Sequence, residues 1–379
     1  MLYRLNPKTG DKFSALGFGA MRLPLKEDGN IDEKTATSML RGAIDCGLNY
    51  IDTGYDYHNQ ESESFLGRAL QDGYRQKVNI ATKLPSWHVN SREDMDNILN
   101  EQLKKLQTDR IDYYLLIALS KSRWEKLLDL GVLEFLDQAK KDGRIKYAGF
   151  SFHDDYDFFV DLINCYDWDI CQIQYNYLDE NFQAGTRGLE YAAEKGIGVA
   201  VMMPLRGGHL ANNIPKDILD LFKEAEIKRS PAEWGYRWVL NHPAVTVVLS
   251  GMSSQEQVDE NIRIAKTSEP NSLTYKELEL VDNIAGKIRE RMKIGCTTCG
   301  YCMPCPNGVD IPSCFVHYNN SFLFNDYDTA GFYYHSMLGN ESDGKGDASL
   351  CINCNACSEK CPQKIDIPKM LLEVKNHFD

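Results

Sequence analysis

The chain carries no excess of basic charge and no run of lysine or arginine. Lys and Arg total 42 against 55 Asp and Glu, a formal net charge of −13 over 379 residues. An acidic chain of this kind lacks the electrostatic footprint for nucleic acid or an anionic membrane surface. No apolar stretch approaches the roughly 20 residues that a spanning helix needs. The opening residues, Met1 to Lys8, contain no apolar signal core. No nucleic-acid partner, no membrane partner and no secretion are expected, and a cytoplasmic location is. Cysteine is scarce in residues 1–295, which hold three (Cys46, Cys165 and Cys171), whereas residues 296–379 hold nine. That imbalance alone places a boundary near residue 295. With 43% hydrophobic residues, the chain is long enough to bury a large core without staples.

What is present is a regular alternation of short apolar runs and helical-period segments. The pattern predicts strands over 15–19, 49–52, 78–83, 111–119, 145–151, 170–175, 199–203 and 245–250. Helices are predicted over 33–46, 62–70, 93–106, 124–140, 156–165, 184–195 and a region before Asn241. A hairpin is expected around Thr9, Gly10 and Asp11. Cys46, Cys165 and Cys171 are assigned to inner, core-facing positions. Strands alternating with helices imply an α/β fold with a parallel sheet. Eight of them over about 250 residues is the size of a closed (β/α)8 TIM barrel, with an open doubly wound sheet as the alternative. The barrel is assigned to residues 1–270 and a connecting helix to 271–295. A small, mainly helical domain takes 296–379, with a polar, Gly-rich loop over 339–349.

The cysteines form two motifs. Cys296, Cys299, Cys302 and Cys305 are followed by Pro306; Cys351, Cys354, Cys357 and Cys361 are followed by Pro362. Three cysteines at i, i+3 and i+6 wrap a loop around one cubic cluster, and a fourth before proline ligates the other cluster. The second motif has the C-x2-C-x2-C-x3-C-P spacing, and the first is one residue shorter before its last cysteine. Crossed ligation of two [4Fe–4S] clusters follows. Cys296, Cys299, Cys302 and Cys361 would hold one; Cys351, Cys354, Cys357 and Cys305 the other. Two zinc sites are the competing reading. Cys314 falls outside both motifs and reads as a packed core thiol.

Strand ends carry the rest of the chemistry, because βα loops build the sites of such barrels. Asp52 ends the second strand and leads through Thr53, Gly54, Tyr55 and Asp56 to Tyr57. Glu61-Ser62-Glu63 and Leu66-Gly67-Arg68 follow, and Lys83 ends the third strand. With Ile111 to Leu116, Pro204-Leu205 and the stretch from Gly251 to Asn261, this pattern resembles the aldo-keto reductase superfamily over residues 1 to about 265. The C-terminal part resembles the ferredoxin-like extension of an iron–sulfur branch of that superfamily. A phenol donates a proton poorly unless a nearby cation lowers its pKa. Lys83 can supply that cation and Asp52 can orient it. Tyr57 is then the acid, by the family spacing, with Tyr55 as its rival. The resemblance thus implies an NAD(P)H-dependent oxidoreductase that reduces a carbonyl, or a conjugated C=C, of a small-molecule substrate.

One position departs from the family. The catalytic His that usually ends the fourth strand is replaced by Ile117, which has no donor for a substrate oxygen. Tyr57 acting alone, another histidine (His58, His88 or His153) reaching in, or a different or weakened chemistry are the open outcomes. For the cofactor, the resemblance implies NADP(H) or NAD(H) across the barrel mouth. Its contacts map to Gly19, Met21, Asp52, Ser151, Gln172, Met202, Pro204, Leu205, Arg206, Gly207, Ser253, Gln257, Glu260 and Asn261. Gly17-Phe18-Gly19 lacks the third glycine of an open-sheet dinucleotide fingerprint. Phe152 stands where many relatives have Asn. Gly251 and Gln257 stand where NADP-selecting relatives carry cations, leaving Arg206 or Arg263 to compensate. Clusters move single electrons and nicotinamide a hydride, so a flavin would normally mediate between them; no flavin motif supports one. The clusters either serve an external electron carrier or are structural. The alternative function is an electron-transfer protein whose barrel is a docking or sensing module.

Overall fold

The computed structural model describes all residues except 120, 213, 324–326 and 340–345, so most of the expected loop at 339–349 lies outside the described residues. The chain forms two compact units, one of residues 1–204 with 232–274, the other of 205–231 with 275–379. In the first, β1 (Tyr3–Leu5) and β2 (Lys12–Ser14) make the N-terminal hairpin. The barrel staves are β3 (Leu16–Gly19), β4 (Tyr50–Asp52), β5 (Asn79–Leu84), β6 (Ile111–Leu119), β7 (Ile145–Phe152), β8 (Ile170–Gln174), β9 (Gly198–Met202) and β10 (Val247–Ser250). They pair in parallel in sequence order, and β10 returns to β3 with Val248 opposite Leu16. The sheet is therefore a closed (β/α)8 barrel and not an open one.

The helices lie where apolar spacing puts them, because each buries one face against the staves. Helix Glu33–Asp45 buries Ala36, Met39, Leu40, Ala43 and Ile44. Ser91 caps helix Arg92–Lys105 in a capping box with Asp94. Inside the barrel, Phe13 packs on Tyr50 at 4.7 Å and Tyr113 at 5.2 Å, with Leu115, Ile170 and Val247 in the same cluster. The interior is a packed core, as closure of eight staves requires.

Two expectations need correction. The helix predicted over 124–140 is two, Lys121–Asp129 and Val132–Lys141, broken at Gly131 with φ 74°. Only glycine adopts that conformation without strain, and the break leaves Leu128 exposed. Cys46 and Cys165 are exposed, because each sits just past the last turn of a helix; Cys171 is buried as expected. By contact, residues 205–231 group with residues 275–379. Helix Lys216–Glu224 buries Ile218 and Phe222 and contacts helix Tyr275–Arg291. Ion pairs Asp217–Arg291 and Arg229–Glu277 tie the two segments together.

The second unit is mainly helical, with helices Ile311–Leu323, Tyr327–Leu338 and Ile367–Phe378 in addition. Its core joins Val309, Ile311, Phe315, Leu371 and Val374 to Cys314, and Tyr334 stacks on Phe378 at 4.4 Å. Cys314 is thus a core thiol. Among the described residues no helix is long and apolar enough to cross a membrane.

Candidate active site and cluster-binding loops

Asp52 is the last residue of β4, and Lys83 the last but one of β5, so both stand at the C-terminal mouth of the barrel. Lys83 Nζ donates to Asp52 Oδ1 at 2.7 Å and to the Thr53 carbonyl at 2.5 Å. Tyr57 Oη lies 3.5 Å from the same nitrogen, which also sits 5.1 Å from the centre of the Tyr57 ring. Lys83 and Asp52 are buried, and Tyr57 is half-buried. Burial pushes the Asp52 carboxyl above the ordinary carboxylate range, and the Lys83 ammonium opposes it. Burial, and then the Asp52 charge, push the Tyr57 phenol well above its usual value. The phenol is therefore protonated at neutral pH and holds a proton at the mouth.

Local geometry fixes that phenol. The ring of Tyr57 packs over Gly54, where a Cβ would fall 3.0 Å from Cε1, so the close approach needs a residue without a side chain. The rival Tyr55 is engaged elsewhere. Its hydroxyl donates to Glu101 at 2.9 Å, and burial with that carboxylate pushes it up to about 12. Behind β5 lies a buried network that sequence reasoning missed. Gln102 Nε2 donates to Glu63 Oε1 at 2.7 Å and to the Lys83 carbonyl at 3.0 Å, while Gln102 Oε1 accepts from the Tyr114 hydroxyl at 2.8 Å. Thr82 donates to the same Glu63 oxygen at 2.5 Å. Burial pushes the Glu63 carboxyl up, and its Oε2 has no hydrogen-bond partner. A glutamine at helical spacing among charged residues reads as a surface position, so only Glu63, in the quoted Glu-Ser-Glu stretch, offered a signal.

Ile117 is buried on β6, at a break in register between Leu116 and Leu119. Of the three histidines weighed as substitutes, His58 Nε2 accepts from the Leu23 amide at 3.3 Å and His88 faces Asp56 at 3.0 Å. His153 is buried beside Gln183, and burial pushes it down to about 4.

The residues expected around a dinucleotide fall into two groups. Ser151 and Gln172 are register partners on β7 and β8, and Gln172 Nε2 reaches Met202 Sδ at 3.7 Å. Gln172 Oε1 is buried without a hydrogen-bond partner. Such an orphan acceptor costs roughly 1–3 kcal/mol unless a bound group donates to it, and the amide of a nicotinamide is such a donor. At the other corner Gly19 faces the Ser250 carbonyl, Asn261 donates to Ser250 at 3.0 Å, and Gln257 accepts from the Ser253 amide at 2.9 Å. Met21 is exposed on the turn after β3, and Pro204 ends the first unit. Leu205, Arg206 and Gly207 belong to the second. The two arginines considered as compensating cations are occupied. Arg206 is buried against Met292 and Gly295, and Arg263 pairs with Glu233 at 2.8 Å and lies 3.8 Å from Glu260. The aliphatic stem of Arg22 lies over Gly251, 3.1 Å at the nearest from where a Cβ would be.

In the second unit, Cys296, Cys299, Cys302 and Cys361 line one pocket. Its wall also includes Thr297, Ile311, Phe315, Gln363, Ile365 and Ile367. Four thiols converging on an apolar pocket fit the ligand set of a [4Fe–4S] cluster. The loops turn through left-handed residues at Thr298, Gly300, Asn353 and Asn355. The Asn319 side chain clamps the approach by accepting from the Ile294 amide at 2.9 Å and donating to its carbonyl at 2.7 Å. Burial raises the Cys357 thiol, and Cys305 and Cys351 pack against the same core. Cys354 is exposed and Cys357 buried.

An eight-stave barrel with a lysine–aspartate pair and a tyrosine at its mouth defines the class of a barrel oxidoreductase. The sequence profile of the Aldo/keto reductase family matches residues 15–284, and that of a 4Fe-4S dicluster domain matches residues 295–365. The chain belongs to the aldo/keto reductase family, with a C-terminal iron–sulfur domain. It is similar to L-galactose dehydrogenase of Arabidopsis thaliana, 25% identical over 74% of this chain and 93% of that one. An aldo-keto reductase of Bacillus halodurans in its holo form superimposes with a TM-score of 0.63, at 27% identity over 75% of this chain and 96% of that one. An aldo-keto reductase of Klebsiella pneumoniae, solved in complex with NADPH, gives 0.62 at 23% identity, over 75% and 96%.

Proposed function

We propose that this oxidoreductase reduces a carbonyl, or a conjugated C=C, of a small molecule with NAD(P)H, and that Tyr57, Lys83 and Asp52 handle the proton. The observation that carries the reading is Lys83 Nζ, held by Asp52 at 2.7 Å and 3.5 Å from Tyr57 Oη. A bound nicotinamide supplies the hydride. Tyr57 donates the proton to the substrate oxygen, and Lys83 stabilises the phenolate left behind. Asp52 keeps the ammonium oriented. The unpartnered Gln172 oxygen supports a carboxamide contact, with Ser151 beside it and Met202 against the ring.

The eight motif cysteines are assigned to two clusters with crossed ligation, Cys296, Cys299, Cys302 and Cys361 for one and Cys351, Cys354, Cys357 and Cys305 for the other. They exchange electrons with an external carrier in a reducing cytoplasm. The test is anaerobic: NAD(P)H oxidation by the iron-loaded protein against a panel of aldehydes, ketones and enones. Turnover with at least one class is expected, and none with any would count against reductase chemistry. Ile117 favours a second reading, in which catalysis is vestigial and the protein serves electron transfer. That reading predicts clusters reducible by dithionite with no substrate-dependent NAD(P)H oxidation.

A further inference from the structure

Arg206 is a buried cation that the proton chemistry at the barrel mouth does not use. Its side chain is 5% exposed. Nη1 contacts Met292 Sδ at 2.9 Å, and Nη2 donates to the Gly295 carbonyl at 3.4 Å, one residue before Cys296. All of these residues belong to the second unit. The backbone is bent to bring the guanidinium there: Arg206 has φ 51°, and Gly207 and Gly208 follow at 71° and 100°. A non-glycine residue in that region is held against its preference. The pocket lined by the four cysteines has no charged side chain in its wall, so little screens a nearby fixed charge. A buried guanidinium bonded to the carbonyl of the residue before Cys296 acts on the charge of whatever the four thiolates hold.

We propose that Arg206 is a positioning residue that raises the reduction potential of the cluster held by Cys296, Cys299, Cys302 and Cys361. The proposal rests on the ligand assignment above. In the step concerned, the cluster gains one electron from a one-electron donor, which is oxidised by one. No bond forms or breaks and no proton is taken up. The reduced cluster carries one more negative charge, which Arg206 stabilises. The second set, Cys305, Cys351, Cys354 and Cys357, serves as the internal reference.

The experiment is an anaerobic redox titration of the full, iron-loaded chain followed by electron paramagnetic resonance, with iron and sulfide determined on each sample. Arg206→Met should make one cluster roughly tenfold harder to reduce, a downward shift of about 59 mV for a one-electron couple. The other cluster should not move. Arg206→Lys, which keeps the charge without the fork, should recover at least half of the shift. Unchanged potentials in Arg206→Met at full iron content would overturn the proposal. Equal loss of iron in both variants would also overturn it, by showing a purely structural role. Wild-type protein that takes up no cluster would instead overturn the ligand assignment, and the proposal with it.

Discussion

Replacing Lys83 with Met should destabilise the barrel in a way that depends on pH. Lys83 is 1% exposed and Asp52 4%. The ammonium is bonded to Asp52 at 2.7 Å and to the Thr53 carbonyl at 2.5 Å. Methionine matches much of the stem but leaves a buried carboxylate and a carbonyl without that donor. Breaking one half of a buried pair costs about 3–5 kcal/mol. The carboxyl of Asp52 is already held above its ordinary value of 3.8 by burial, with Lys83 opposing. Without Lys83 its folded pKa rises further. A raised folded pKa gives a contribution that is complete below the unfolded value and is lost as pH rises through the folded one. The defect should therefore be largest at pH 8 and smaller at pH 5, where more of the carboxyl is neutral. Urea unfolding at both values, followed by tryptophan fluorescence, measures it. Adding Asp52→Asn to Lys83→Met should return more than half of the loss at pH 8. A loss independent of pH, or two losses that simply add, would refute the reasoning.

Other expected outcomes are equally specific. Ile117→His restores a donor at the end of β6 and should raise carbonyl reduction roughly 100- to 1,000-fold; an unchanged rate would mean that the pocket serves other chemistry. Gly54→Ala places a methyl 3.0 Å from the Tyr57 ring and should lower kcat by about tenfold or more with the Kd for NAD(P)H nearly unchanged; a full rate would show that the ring has room. Cys361→Ser should remove the cluster shared with Cys296, Cys299 and Cys302 and lower iron from about eight to about four atoms per chain. Loss of the other cluster's signal instead would reverse the assignment.

The barrel could be read from sequence because each stave and helix repeats the same local rule: an apolar strand, then a helix with one apolar face. The rule failed where one residue decides. Gly131 divides a helix whose apolar spacing runs through it. Cys46 and Cys165 look like core thiols until the helix end is placed one residue earlier. Helix Lys216–Glu224 packs on Tyr275–Arg291, more than 50 positions away, a pairing that no local pattern encodes. At the site, Asp52, Tyr57 and Lys83 could be picked out because strand ends and spacing coincide there. Family spacing favours Tyr57 over Tyr55, and the hydrogen bond from Tyr55 to Glu101 adds a distinction that no local pattern encodes. Gln102 was invisible because its role depends on burial against β5. Arg206 was assigned by its neighbours Pro204 and Leu205, whereas its side chain follows the left-handed turn at 206–208 to Gly295.

The most direct test of the proton-transfer assignment is single-turnover hydride transfer in Tyr57→Phe with NAD(P)H already bound, followed anaerobically by stopped flow with a carbonyl substrate that the wild-type protein reduces. The account predicts a Kd for NAD(P)H within about twofold of wild type and a hydride-transfer rate lower by about 100-fold or more. Equal rates in the two proteins would contradict it.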